Sequence, residues 1–152
     1  MELLLISIYL KGVLKMGYNV VIVDDDESIL ESLETYIKTK EELNVICFED
    51  PMKAIDFAKI NTVHVAIVDI VLPQMDGLEL VKNLKSLNAL TYTAVITGNS
   101  SIDRVLTAIE YGANDYILKP FNLDDIDEVI ETGLKMVCKW RKVLKASLST
   151  EE

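Results

Sequence analysis

Residues 63–77 read VHVAIVDIVLPQMDG. Val63–Val68 is a short apolar run rich in β-branched residues, the pattern of a strand buried on both faces. It ends at Asp69. A loop carrying Pro73 and Gly77 follows, and Gly77–Leu87 places Leu78, Leu80, Val81 and Leu84 at helical spacing. Buried strand, acid, loop, amphipathic helix: this unit belongs to a parallel sheet covered by helices.

The same alternation extends both ways. Upstream, Tyr18–Val23 (YNVVIV) reads as a strand buried on both faces. Glu27–Lys40 carries a helical stripe of Ile29, Leu30, Leu33, Tyr36 and Ile37. Asn44–Phe48 is a second strand, and Pro51 suits the first turn of a helix reaching about Ile60. Downstream, Tyr92–Ile96 is a fourth strand, and Ser101–Tyr111 is a helix stopped by Gly112. Asp115–Leu118 is a short fifth strand. Asn122 caps the last helix, with Asp124, Asp125 and Asp127 in or near its first turn, and that helix runs to about Ala146. Five strands alternating with five helices predict an α/β fold, and right-handed crossovers make it a doubly wound parallel sheet.

The chain has 152 residues, enough for one domain with a substantial core and no disulfide or structural metal. Its formal net charge of −10 argues against direct nucleic-acid binding, which needs a basic patch. Cys47 and Cys138 form no C-x-x-C motif and read as packing residues of a reduced, cytoplasmic protein. The apolar stretch Met1–Lys15 carries Glu2 where a signal peptide has positive charge, lacks a small-residue cleavage site, and is too short to span a membrane. Two readings of it stay open: an extension ahead of a start at Met16, or a short helix packed on the domain or on a partner chain. The domain itself is expected over residues 17–139, with 140–152 extending the last helix into a tail.

In an open α/β sheet, ligands bind beyond the carboxyl ends of the strands. Asp24, Asp25 and Asp26 follow the first strand, Asp69 ends the third, Thr97 follows the fourth and Lys119 the fifth. Several carboxylates in one crevice repel each other and call for a cation, and an all-oxygen set suits Mg²⁺ better than Zn²⁺. Thr97 adds a hydroxyl donor and Lys119 a positive charge for a phosphoryl oxygen. Asp69 is the natural nucleophile, since a carboxylate attacking phosphorus gives an acyl phosphate. The blander readings are a helix N-cap for Asp26, a loop hydroxyl for Thr97 and a surface residue for Lys119. For Asp26 the cap is preferred. For the whole constellation the bland account is rejected.

The segments VVIVDDDES, VDIVLPQMDGLEL, AVITGNSS and YGANDYILKPF, spanning Tyr18 to about Lys139, resemble response regulator receiver domains of two-component phosphorelay systems. That resemblance implies a flavodoxin-like five-stranded sheet of order 2-1-3-4-5. It implies an Asp24–Asp25 acidic pair at a Mg²⁺ site, with Asp25 contacting the metal directly and Asp24 largely through water. It makes Asp69 the phosphoacceptor, gives the Val71 carbonyl to the metal, and assigns phosphoryl oxygens to Thr97 and Lys119. It also implies a switch pairing Thr97 with Tyr116, and a cis bond before Pro120. The implied partner is a histidine kinase or a histidine phosphotransfer protein. The implied output and homodimer surface is formed by the fourth helix, fifth strand and fifth helix. An apolar Val71, at a variable position flanking the site like Asn99, predicts slow autodephosphorylation.

Two other readings compete. DDDES also resembles the D-x-D-x-[ST] motif of haloacid-dehalogenase-type phosphatases, with Asp24 as nucleophile and Asp26 as acid/base. That reading lacks a later strand ending in an acidic pair and leaves Asp69 unexplained. A receiver-like binding module that is never phosphorylated is disfavoured by the intact site. Ile126, Ile130, Gly133, Val137, Trp140 and Leu144 have heptad-like spacing, expected to face the core in the first half. Beyond Cys138 the segment reads as a signalling helix or a dimerisation tail.

Overall fold

The computed structural model describes residues 17–150; the readings given to residues 1–16, and the end of the tail, lie outside the described residues. Strands β1 (Tyr18–Val23), β2 (Leu43–Phe48), β3 (Val65–Asp69), β4 (Tyr92–Thr97) and β5 (Asp115–Leu118) alternate with helices. These are α1 (Glu27–Ile37), α2 (Pro51–Ile60), α3 (Gly77–Leu87), α4 (Ile102–Glu110) and α5 (Leu123–Thr150). Every strand pair is parallel, and the sheet order is β2-β1-β3-β4-β5. The doubly wound, flavodoxin-like fold read from the sequence is the observed one.

Successive strand residues point to opposite faces, and each face has its own apolar layer. Val21, Val23, Ala66, Val68 and Val95 pack with Leu78, Val81 and Leu84 of α3 and Ala54 of α2. Val20, Ile22, Val65, Ile67 and Ala94 pack with Leu30, Leu33 and Ile37 of α1 and Ile126, Val129 and Ile130 of α5. Gly133 lets α5 approach β4: a Cβ there would lie 2.8 Å from the Tyr92 ring.

Polar side chains set the helix starts. Asp26, Asp50, Asp76 and Ser101 each accept a backbone N–H in the first turn of α1, α2, α3 and α4. At α5, the Asp125 N–H donates to Asn122 Oδ1 while the Asn122 N–H donates to Asp125 Oδ2, a reciprocal cap. The expected caps at Asp26 and Asn122 are therefore present. Several boundaries differ from the sequence reading: α1 ends at Ile37 instead of Lys40, β4 takes in Thr97, and α4 spans Ile102–Glu110 instead of Ser101–Tyr111. β2 starts one residue earlier. β3 starts at Val65 and takes in Asp69, whose backbone pairs with Ile96. α5 runs to Thr150, a turn longer than expected, and the hydroxyls of Ser147, Ser149 and Thr150 bond back to carbonyls of their own helix.

α4 is the least embedded helix. Only Ala108 is buried, while Ile102, Leu106 and Ile109 are exposed. In α5 the expected stripe holds through Val137, but Trp140 and Leu144 are exposed. Both cysteines are free and half-buried. Among the described residues, no helix is long and apolar enough to cross a membrane.

Candidate functional site

β1 and β3 are neighbours in the middle of the sheet, with Val23 opposite Val68. The next residues, Asp24 and Asp69, therefore meet at the carboxyl edge. Both are buried, and Asp25 beside them is exposed. One carboxylate oxygen from each of Asp24, Asp25 and Asp69 lies within 4.8 Å of the others. Such a compact set of hard oxygen donors, open on the Asp25 side, fits a divalent cation that keeps part of its water shell, the preference of Mg²⁺.

Lys119 reaches this cluster from the end of β5. Its Nζ lies 2.9 Å from Asp69 Oδ2 and 3.1 Å from Asp24 Oδ2. Burial alone would lower the ammonium's pKa. The hydrogen bonds and charges of Asp69 and Asp24 outweigh it and hold the pKa above the ordinary lysine value. Burial pushes the Asp24 carboxyl up, against the opposing pull of the Asp26 N–H and of Lys119. The peptide bond before Pro120 is cis, as expected.

The loop after Asp69 is tied to the carboxylate. The Val71 N–H donates to Asp69 Oδ1 at 3.0 Å, and the Gly77 N–H donates to the Ile70 carbonyl at 2.8 Å. A Cβ on Gly77 would lie 2.0 Å from the Asp69 carbonyl oxygen. Only glycine lets α3 begin this close to the acid. The Val71 side chain is 58% exposed at the rim.

Thr97 is fully buried at the end of β4, but its hydroxyl is engaged locally: it donates to the Asn99 carbonyl and accepts from the Asn99 N–H. Tyr116 is half-buried, and its hydroxyl lies 3.1 Å from Ser100 Oγ in the β4–α4 loop. The structure thus brings Asp24, Asp25, Asp69 and Lys119 into one cluster. Thr97 and Tyr116 flank it, each tied to the same loop.

Sequence reasoning missed Arg104. Its guanidinium forks onto Asp76, with nitrogen–oxygen distances of 2.7 and 3.2 Å, joining the first turn of α4 to the cap of α3. Burial alone would raise the Asp76 pKa, but Arg104 and the Leu78 N–H hold it below the usual carboxylate range. No local motif announces a pair whose members lie in separate helices.

Known proteins share this fold. The family model described as response regulator receiver domain matches residues 20–131. The chain is 34% identical over 113 residues to the DNA-binding transcriptional regulator NtrC of Klebsiella pneumoniae, covering 74% of this chain and 24% of that protein. It is 37% identical over 105 residues to a cyclic di-GMP phosphodiesterase of Thermotoga maritima, covering 69% of this chain and 28% of that protein. The chain thus spans about a quarter of the length of these curated relatives. A solved CheY-like receiver domain from Methanospirillum hungatei JF-1 superposes with a TM-score of 0.77 at 28% identity, over 81% of this chain and 98% of that one. The chain belongs to the response regulator receiver domain family, the phosphorylatable regulatory domains of two-component systems.

Proposed function

We propose that this receiver accepts a phosphoryl group on Asp69 from a phosphohistidine of a kinase or phosphotransfer protein, in the cytoplasm. An Asp69 carboxylate oxygen attacks phosphorus. The phosphorus–nitrogen bond to the partner's imidazole breaks, and its electron pair leaves with the ring nitrogen. The observation that carries this reading is the position of Lys119 Nζ, within 3.1 Å of oxygens on both Asp69 and Asp24. An ammonium there stabilises charge on the transferring group's oxygens, and the work left to the protein is positioning and electrostatics.

Asp24, Asp25, Asp69 and the Val71 carbonyl are the candidate ligands of Mg²⁺, which when bound offsets the negative charge of the carboxylates and the incoming phosphoryl group. Lys119 and the Val71 N–H hold Asp69 in orientation. Thr97 is the candidate to release Asn99 and donate to the phosphorylated side chain, and Tyr116 to release Ser100 and turn inward. Both moves act on the β4–α4 loop. They bias the α4–β5–α5 face, where α4 buries only Ala108, between two arrangements. That face is the proposed output surface. Whatever effector it addresses is proposed to lie outside this domain.

The phosphatase reading is weaker on specific grounds. The Asp26 carboxylate is occupied by the Ser28 N–H and hydroxyl at the start of α1. Asp124 and Asp125 open a helix instead of ending a strand. Labelling with acetyl phosphate and Mg²⁺ separates the two. Asp69→Asn abolishes incorporation if the receiver chemistry is right. Incorporation that survives Asp69→Asn and is lost in Asp24→Asn supports the phosphatase instead.

A further inference from the structure

Helix α5 reverses charge along its length. Its first half carries Asp124, Asp125, Asp127, Glu128 and Glu131. Its second half carries Lys135, Lys139, Arg141, Lys142 and Lys145. No Asp or Glu occurs from 132 to 150, although the whole chain has a net charge of −10. The helix dipole does not explain these cations: its influence is confined to the end turns, and the last turn of α5 holds no basic residue. Ion pairing within the chain explains little more. Lys135 pairs with Glu131, and Arg141 stands over the Tyr18 ring. Lys139, Lys142 and Lys145 make no salt bridge among the described residues.

The apolar residues of the same segment are left uncovered. Val137 is the last buried residue of α5. Cys138 and Arg141 reach Tyr18 at the start of β1, and nothing from 138 to 150 is buried. Met136, Trp140, Val143 and Leu144 are exposed, Trp140 by 48% and Val143 by 46%. Met136, Trp140 and Val143 follow steps of four and three residues, so they form one stripe. Lys135, Lys139 and Lys142 follow the same steps one residue earlier, which puts their row about 100° round the helix from the stripe. A basic row beside a Trp-bearing apolar stripe is the pattern of a helix lying in the plane of a lipid interface.

We propose that the second half of α5 docks on an anionic lipid surface, with Met136, Trp140 and Val143 entering the boundary between headgroups and acyl chains. With the stripe facing lipid, the lysine row stands at the level of the phosphates, its stems along the apolar boundary and its ammonium groups in water. Trp140 suits that depth, since its ring is apolar and its indole N–H polar. Charge complementarity selects the lipid, because each cation held near an anionic surface adds to binding. The same surface repels the acids of the first half, so α5 tilts and meets it by its C-terminal part. Nucleic acid would match the lysines but leave Trp140 and Val143 in water. The helix lies on the membrane without crossing it, in keeping with the described residues, none of whose helices can span one. The docking does not depend on which carboxylate takes the phosphoryl group.

The test is flotation of the full chain with vesicles of phosphatidylcholine alone or mixed with phosphatidylglycerol, read together with tryptophan emission. The expected result is flotation with the anionic vesicles and not with the neutral ones, weakening as salt rises. Trp140 is the only tryptophan, so its emission reports this segment alone. It moves to shorter wavelength on binding. Trp140→Ala, and Lys139→Glu combined with Lys142→Glu, all at exposed positions, each weaken binding by roughly tenfold or more. Lys53→Glu combined with Lys59→Glu, on the exposed side of α2, leaves it unchanged. Failure to float with anionic vesicles overturns the proposal, as does equal flotation with neutral ones. Emission that stays fixed in the bound protein, or binding that ignores the α5 substitutions, assigns the contact to another part of the chain and overturns it too. A chain that binds duplex DNA and no vesicle makes α5 a nucleic-acid surface instead.

Discussion

Arg104 on α4 and Asp76 at the cap of α3 form a two-pronged ion pair, 2.7 and 3.2 Å, between elements that share little buried surface. At the other end of α4, Tyr111 donates to Glu79 of α3 at 3.2 Å. Polar clasps hold α4 where apolar packing does not. The Arg104 clasp is partly exposed, so its worth to global stability is small, of order 0.2–1 kcal/mol. Arg104→Gln is expected to lower unfolding free energy by less than about 1 kcal/mol, yet to speed amide exchange in α4 well beyond that in α3. Hydrogen exchange read by mass spectrometry checks this. Exchange in α4 as slow as in the parent would mean that the clasp does not hold the helix.

Lys119 competes with any cation for Asp24 and Asp69. Lys119→Met removes a positive charge bonded to two candidate ligands. Even at the dielectric of water, a unit charge at 4 Å is worth about 1 kcal/mol, so Mg²⁺ affinity is expected to tighten roughly fivefold or more. Phosphorylation by acetyl phosphate is expected to slow in the same variant, because the ammonium proposed to stabilise the transferring oxygens is gone. Calorimetric titration with Mg²⁺ and labelling rates should therefore move in opposite directions. Both falling together would mean that Lys119 mainly supports the fold of the site.

Val71 offers no hydrogen bond to a water approaching the acyl phosphate from the rim, where its side chain is 58% exposed. Val71→Asn supplies one. A hydrogen bond of about 1 kcal/mol made in the transition state would speed autodephosphorylation about fivefold. Loss of label after removal of the phosphodonor measures it. An unchanged or slower decay would exclude Val71 as a brake.

His64 sets an acid limit on stability. It is buried at the far end of the sheet, where its Nδ1 accepts the Asn19 N–H at 2.8 Å and its Nε2 has no partner. Burial, with Arg141 nearby, lowers its pKa to about 4. The unfolded chain titrates near the free histidine value, about 6.5. Above that value the ring is neutral in both states. As pH falls, the unfolded chain takes the proton first, so stability is lost from about pH 6.5 down to about 4, at no more than about 1.4 kcal/mol per pH unit. Urea unfolding at pH 7 and pH 5 should show up to about 2 kcal/mol of this loss, and His64→Asn should remove most of it. An identical pH slope in the variant would assign the acid sensitivity to other groups.

Much of this was legible in the sequence because it is local or periodic. Continuous apolar strands and three-to-four-residue stripes disclosed the doubly wound sheet. The rule that chemistry collects at strand carboxyl ends picked out Asp24, Asp25, Asp69 and Lys119, which the fold gathers. Caps at Asp26 and Asn122 were readable from residue type and position. Less visible was what depends on partners far along the chain: Arg104 with Asp76, Tyr18 with Cys138, His64 closed off in the interior. Composition likewise gave no hint that Thr97 bonds to Asn99 and Tyr116 to Ser100, since both could equally have faced the carboxylates.

The central claim is that Asp69, among the carboxylates of this cluster, takes the phosphoryl group. Borohydride reduces an aspartyl phosphate to homoserine and leaves free carboxylates untouched. The protein, phosphorylated with acetyl phosphate and Mg²⁺, is reduced in this way and its peptides are sequenced by mass spectrometry. The account predicts homoserine at position 69 and aspartate at positions 24, 25 and 26. Homoserine at position 24, or at none of the four, would contradict it.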